Sequence, residues 1–478
     1  MPAFRFVHAA DLHLDAAFAG VSRDLPPRLA DRLHRATFTA WERLVELCLA
    51  ERPDALIIAG DVHNHEDGSL RAQVALRDGC ARLADAGVRV FIAHGNHDPL
   101  TSRVKSLHWP DGVTVFGPQV EAHPVARDGR VAAVVHGISH ETDREGRNLA
   151  KRFARAATAQ GLEVPPGAPQ IGVLHCNVGG APGSPVSHDA GRYAPCTLDD
   201  LAATGLDYWA LGHIHLPQVL RARPHVVYPG STQGLHINED GPRGCQLVTL
   251  HDDGEVELEF RPLAPVRWQV VEVAIDNGGN SGDNCGKGGD GPGDADTPNG
   301  GASLEALHGL ILEAMQHAAG EDAPPGAPAF PIEVTLFRVV LRGRGPLDRQ
   351  LRRPGAAGAL LEMLREAGAS LDPLVWVKDI ELRTRPDVDM DALRRRDDLL
   401  GEVLRVAAAV RGLPEQPAGD PAACPDGLRA LAAAVLGPLY DGARGRRFLG
   451  PSDALPPEDL AALLDDAERI CCDMLEAD

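Results

Sequence analysis

No stretch of this 478-residue chain is apolar for the roughly 18 residues that a membrane-spanning helix needs, so no membrane segment is expected. The first apolar run begins at Phe4, so no secretory leader is expected ahead of it. The nine cysteines are odd in number and form no C-x-x-C pair, so they read as reduced thiols of a cytoplasmic protein. No G-x-x-x-x-G-K-[ST] loop occurs, so any ATP hydrolysis has to come from a partner. Positive charge is scarce as well. With 47 Lys and Arg against 68 Asp and Glu, the net charge of −21 excludes a protein that coats nucleic acid by neutralising its phosphates. What is plentiful is apolar content, 44% hydrophobic, enough for sizeable cores in about three domains.

Five short motifs stand out in the first half: Asp11-Leu-His13, Gly60-Asp61, Gly95-Asn96-His97-Asp98, Leu174-His175 and Gly212-His213-Ile-His215. Each follows an apolar run that reads as a buried strand, at 4–9, 55–59, 88–93, 171–174 and 208–211. The expectation is that these groups converge on the C-terminal edge of one sheet, where open α/β sheets hold their sites. Carboxylate and amide oxygens suit hard divalent ions, while imidazole suits borderline metals, so the mixed set points to Mn, Fe or Zn. In a two-metal site one carboxylate is able to bridge both ions, and Asp61 is the natural bridge. One histidine at a strand end is usually incidental; a set of such groups at five successive strand ends is not. Two divalent ions would also add four positive charges at that edge, which offsets the acidic composition locally.

The motif set resembles that of the calcineurin-like metallophosphoesterase superfamily, D-x-H, G-D, G-N-H-[DE], H and G-H-x-H, over about residues 4–265. The resemblance implies one metal held by Asp11, His13, Asp61 and His215 and a second by Asp61, Asn96, His175 and His213, with Mn²⁺ the first choice of metal. It makes His97 the general acid for the leaving oxygen and Asp98 its orienting partner. His8-Ala-Ala-Asp-Leu-His-Leu-Asp15, Ser69-Leu-Arg-Ala-Gln73, Tyr228-Pro-Gly-Ser-Thr-Gln-Gly234, Asn238-Glu239 and Gly244-Cys245 are similar to the SbcD-like DNA repair exonucleases, most of all their YhaO type. Many nuclease relatives carry His or Asp three residues after the bridging aspartate. Here that position is Asn64, between His63 and His65, either of which is a candidate phosphate contact, with a solvated loop histidine as the alternative.

Residues 145–158 read as a helix with Ala150, Phe153, Ala154 and Ala157 on one face and Arg147, Lys151 and Arg155 on the other. That basic face is a candidate contact for a DNA backbone, with a plain solvated face as the alternative. Beyond 265, strands at 267–275, 332–341 and 375–382 with helices at 303–318 and 356–367 form a small α/β unit. The Gly-, Asn- and Asp-rich insert 276–301 has too little apolar content to order itself. Helices follow at 391–410 and 427–436, separated by a Pro- and Gly-rich stretch at 412–425. A last helix starts at the Pro456-Pro457-Glu458-Asp459 signal and carries an apolar stripe from Leu460 to Met474, which either packs into the chain's own core or lies in a groove of a partner.

The expected architecture is therefore a metallophosphoesterase α/β sandwich (1–265), a small α/β capping domain (266–386) and a helical C-terminal region (387–478). The resemblance implies a cytoplasmic, metal-dependent DNA exonuclease that forms a homodimer and works beside an SbcC-like SMC-type ATPase, gripped by the C-terminal helices. Two alternatives stay open at this point: a phosphatase or small-nucleotide phosphodiesterase of the same fold, and a non-catalytic protein that tethers DNA.

Overall fold

In the computed structural model the described residues are 3–21, 25–64, 69–102, 108–127, 129–156, 158–182, 193–251, 253–275, 303–320, 330–386, 390–398, 400–402, 404, 405 and 407. The insert 276–301, the stretch 412–425, the helix at 427–436, the terminal stripe and His65 lie outside them.

Residues of a strand alternate between its two faces, and in the short run Ala55–Ala59 both faces are buried, so every position is apolar. That strand lies in a six-stranded sheet ordered Val256–Pro262, Gly244–Leu250, Phe4–Ala9, Ala55–Ala59, Arg89–Ala93, Val113–Val115. The last four run parallel to one another, while Phe4–Ala9 is antiparallel to Gly244–Leu250. A second six-stranded sheet is ordered Gln218–Ala222, His225–Tyr228, Tyr208–Gly212, Gln170–His175, Arg130–Gly137, Glu121–Arg127, with the middle four parallel. The sheets stack face to face. Phe4, Phe6, Ile57 and Phe91 from one meet Val135, Ile171, Val173, Tyr208 and Val227 from the other in a single buried cluster. The opposite face of the first sheet, Val7, Leu56, Ile58, Val90 and Ile92, is covered by helices Pro27–Glu51 and Leu70–Asp85 through Trp41, Leu44, Leu76 and Leu83. The opposite face of the second sheet, Leu174, Trp209 and Leu211, is covered by Leu149, Phe153, Leu201 and Leu206.

This arrangement corrects one expectation. The five motifs do not share a sheet: three follow strands of the first and two belong to strands of the second. A strand buried on both faces reads the same whichever sheet it joins, so the apolar runs carried no signal that divided them.

Past Pro262 the chain starts a new three-stranded sheet, Val266–Ala274, Val334–Arg344 and Leu374–Arg385, with Val334–Arg344 in the centre. Its first two strands are parallel. Helix Leu304–Gly320 packs on the Val266–Ala274 strand and on helix Ala356–Ala369. The small sheet does not stand apart from the sandwich; residues 1–343 and 349–384 form one compact unit. Val266, Trp268, Leu336 and Trp376 bury themselves against Leu29, Leu33 and Ala36 at the start of the long helix Pro27–Glu51. Arg43 adds to this junction by donating to Leu263 O (3.1 Å) and Pro331 O (2.8 Å) and pairing with Glu333 (3.1 Å).

A second unit comprises residues 344–348 and 385–478. The single helix expected at 391–410 is broken there. Helix Met390–Arg394 stops, and Asp398 accepts a hydrogen bond from Gly401 N (2.9 Å), the geometry of an N-cap that starts helix anew.

Candidate metal centre

Asp11 and His13 follow strand Phe4–Ala9, Asp61 follows Ala55–Ala59, and Asn96 and His97 follow Arg89–Ala93. His175 ends strand Gln170–His175, while His213 and His215 follow Tyr208–Gly212. Backbone hydrogen bonds lace these strand ends together: Asp11 N to Gly60 O (3.0 Å), His13 N to Asp61 O (3.0 Å) and Cys176 N to Gly212 O (3.1 Å). The carboxylate of Asp11 crosses between the sheets to accept from His213 N (3.1 Å). Asp11, His13, Asp61 and His213 all take positive φ, 52°, 42°, 51° and 103°. Such backbone is costly for residues with side chains and persists where the surroundings impose it, typically at functional sites. Glycine is needed beside them for closeness: a Cβ on Gly95 would strike the Asp61 carboxylate and the His175 ring, and one on Gly212 would strike Ala59 O.

The side chains fall into two sets. The donor atoms of Asp11, His13 and His215 lie within 4.8 Å of one another, as do those of Asp61, His175 and His213. Asp61 Oδ2 reaches toward both, 3.3 Å from His175 Nε2 and 3.9 Å from His13 Nε2. Asn96 Oδ1 lies 3.0 Å from His175 Nε2 and so joins the second set. Two observations fit these residues to divalent cations. The Nε2 atoms of His13 and His215 face each other at 3.2 Å, and His213 Nε2 is buried without a hydrogen-bond partner. Nitrogen lone pairs so placed suit a shared cation, and the mix of imidazole with carboxylate and amide oxygens suits Mn, Fe or Zn.

Outer contacts fix the rings. His13 Nδ1 pairs with Asn64 Oδ1 (2.9 Å), His175 Nδ1 with Ala59 O (2.9 Å) and His215 Nδ1 with Glu239 Oε1 (2.6 Å). Engaging Nδ1 leaves Nε2 pointing inward as the ligand atom and raises its basicity. Burial, the largest influence on each, pushes the Asp11 carboxyl up to about 6 and the His13 imidazole down to about 4. His175 is also pulled down by burial, but the Asp61 carboxylate outweighs this and lifts it to about 9. His215 rises to about 9 in the same way, through Glu239 and Asp11. Ligation requires neutral imidazole, so loading the site displaces protons from both.

His97 lies exposed at the mouth, its backbone N donating to Asp61 Oδ1 (2.9 Å) and its ring 5.1 Å from that of His13. Asp98 is fully buried and tied to the loop itself: it accepts from His94 Nδ1 (3.0 Å), Gly95 N (2.7 Å) and Val62 N (3.0 Å). The ring it orients through these bonds is that of His94, which sequence reasoning passed over.

Residues 4–217 match the calcineurin-like phosphoesterase family, and residues 299–385 match the middle domain of metallophosphoesterase YhaO. Over 391 residues, 81% of this chain and 84% of the relative, the sequence is 31% identical to the uncharacterized metallophosphoesterase YhaO of Bacillus subtilis (strain 168). The chain is a calcineurin-like metallophosphoesterase of the YhaO type. More distant relatives include the DNA double-strand break repair protein Mre11 of Aeropyrum pernix, 28% identical across 58% of this chain and 65% of its own. A subunit of the nuclease SbcCD of Escherichia coli (strain K12) is 27% identical across 57% of this chain and 71% of its own. As a member of this family the protein is a metal-dependent phosphoester hydrolase with a dinuclear centre. Among the described residues no helix is long and apolar enough to cross a membrane.

The basic strip of the metallophosphoesterase differs from expectation. Among the described residues of 145–158 only the 3₁₀ turn Ala150–Arg152 is helical, and Ala154 is exposed. Each of the three cations faces a carboxylate: Arg147 pairs with Glu145 and Glu141, Lys151 with Asp200 (3.4 Å), and Arg155 with Asp207 (2.8 Å). The spacing looked helical, but Glu145 bridges to Tyr193 in an extended conformation, which holds the segment open. Of the flanking histidines, His63 is buried, its Nδ1 4.0 Å from Asp98 Oδ2. Asn64, read only as a departure from pattern, turns out to hold His13.

Proposed function

We propose that this metallophosphoesterase is a DNA phosphodiesterase, an exonuclease acting at DNA ends in repair, with Mn²⁺ as its metal. The observation that carries the reading is the placement of His97, exposed at the mouth of a buried donor set and held there through the bridging Asp61. An acid in that position meets the leaving oxygen of a bulky ester arriving from solvent. The names of the Mre11 and SbcCD relatives support DNA as that ester. When bound, the two ions would supply Lewis acidity at the phosphoryl oxygens and lower the pKa of the attacking water. The chain's own residues do the rest. Asp61 offers one carboxylate to both donor sets, Asn64 and Glu239 hold the His13 and His215 rings with Nε2 inward, and His97 delivers a proton to the departing oxygen.

In this reading residues 1–265 form the nuclease domain, the α/β unit 266–386 caps it and guides the strand, and 387–478 binds an SbcC-like SMC-type ATPase in a complex with two copies of this chain. The carboxylate partners of Arg147, Lys151 and Arg155 favour a second reading, a phosphodiesterase or phosphatase for small substrates, because paired cations offer little to a DNA backbone. A Mn²⁺ titration on labelled duplex DNA, run beside p-nitrophenyl and cyclic-nucleotide esters, separates the two. Metal-dependent shortening of DNA supports the nuclease; turnover of the small esters alone refutes it.

A further inference from the structure

The dipeptide Asn238-Glu239 lies outside the five ligand motifs, yet its carboxylate touches the metal centre. Glu239 Oε1 lies 2.6 Å from His215 Nδ1, and the side chain is largely buried. Its other oxygen accepts from Leu235 N (2.7 Å), so neither oxygen is free to swing. Arg243 clamps the same turn from below, donating to Glu239 O (3.2 Å), to Asp240 O (2.8 Å) and to His215 O.

The turn rests on the small sheet. Gln233 bridges Val266 from both sides, donating to its O (2.8 Å) and accepting from its N (3.2 Å). Trp268 Nε1 donates to Gly234 O (3.2 Å), and Gly241 N donates to Trp268 O (3.1 Å). A continuous run of hydrogen bonds thus leads from strand Val266–Ala274 through residues 233–241 to one metal ligand. The other donor set is anchored elsewhere, since His175 Nδ1 is held by Ala59 O within the sandwich.

We propose that Glu239 is a positioning residue for His215, and that the three-stranded sheet, through the turn 233–241, sets the affinity of the Asp11, His13 and His215 half of the centre while leaving the other half to the sandwich alone. The proposal rests on the dinuclear centre and is independent of whether the substrate is DNA. Outer-sphere partners of this kind are worth about 10–100-fold in metal affinity.

The test is metal content by mass spectrometry after dialysis against buffered Mn²⁺, with circular dichroism and thermal melts of the metal-free protein alongside. At a free Mn²⁺ level that gives the wild type two ions, Glu239→Ala should hold one and need about 10–100-fold more metal for the second. Glu239→Asp, which keeps the charge but falls short of the ring, should shift the same ion in the same direction. Trp268→Phe keeps one aromatic ring in the buried site but drops the indole N–H that bonds Gly234 O, and should weaken that ion several-fold. Two ions at unchanged half-saturation in the glutamate variants, or equal loss of both ions from a folded protein, overturns the proposal. So does a Glu239→Asp protein that no longer melts cooperatively, because Glu239 would then hold the fold. An unchanged Trp268→Phe removes the sheet from the path.

Discussion

Replacing Asp98 by Asn separates two roles for this residue. If Asp98 serves His97 alone, Asp98→Asn should slow turnover and leave the metal-free fold untouched. The structure argues for more, because the carboxylate gathers His94 Nδ1, Gly95 N and Val62 N inside a fully buried pocket. Asparagine keeps one acceptor oxygen and puts a donor in place of the other. Turned one way it faces the Gly95 N–H with its own NH₂; turned the other way it faces the Val62 N–H. Either choice loses at least one hydrogen bond to a charged acceptor, about 1.5–3 kcal/mol, and strands a buried donor. At about 2–4 °C per kcal/mol for a large domain, the melting temperature of metal-free protein should fall by roughly 3–12 °C. The sign of the pH dependence follows from the pair. Burial pushes the Asp98 carboxyl up, but the His94 ring against it holds it below its ordinary 3.8, so its contribution is full above that value and is lost as acid takes the pH through the lower folded value. Burial pulls His94 down, but Asp98 raises it past its ordinary 6.5, so its contribution is full below that value and fades as the pH rises through the folded one. The gap between wild type and Asp98→Asn should be widest between those two pH values, measured by scanning calorimetry in chelator. Melting temperatures that coincide across that range, with turnover alone reduced, would refute the reasoning.

Asp61→Ala should lose both ions together with activity, and a variant that retains two ions by mass spectrometry removes Asp61 from the bridge. His97→Gln should keep both ions and slow hydrolysis by about 10²–10⁴-fold, with a smaller effect on esters whose leaving groups need no proton; equal losses on both would mean that His97 only positions substrate. Gln in place of Arg147, Lys151 and Arg155 should leave the salt dependence of DNA binding level, because each cation already faces a carboxylate, whereas a log–log slope flattened by about 0.9 per residue would restore the strip as a DNA contact.

Much of the centre was legible because ligand chemistry is local in sequence: Asp11, Asp61, Asn96, His175 and His213 each follow or end an apolar run, and the runs are strands. What was not legible depends on contacts far apart in the chain. Nothing in the run before His175 says that it joins a different sheet from the run before Asp61. Asn64 and Glu239 were visible as letters in motifs, but their service to His13 and His215 exists only once the loops fold over the strand ends. The helix expected at 145–158 failed for the reverse reason. Apolar spacing suited a helix, and the acidic partners that neutralise Lys151 and Arg155, Asp200 and Asp207, come from a segment well downstream. The break before Asp398 was missed because a capping aspartate inside a helical pattern looks like any exposed polar residue.

Each half of the centre draws donors from both sheets: Asp11 and His13 with His215, and Asp61 with His175 and His213. A folding intermediate with either sheet alone would therefore display an incomplete chelate, because the first sheet lacks His175, His213 and His215 and the second lacks both carboxylates of the two sets. Tight metal capture is then a certificate of completed assembly. A chain whose sheets have yet to close over Phe6 and Tyr208 is an inert one, so hydrolytic power is withheld until the sandwich has shut. Once shut, every ion bound exclusively to the native form deepens its stability by mass action, and chelation should loosen the two sheets at the very end where substrate enters.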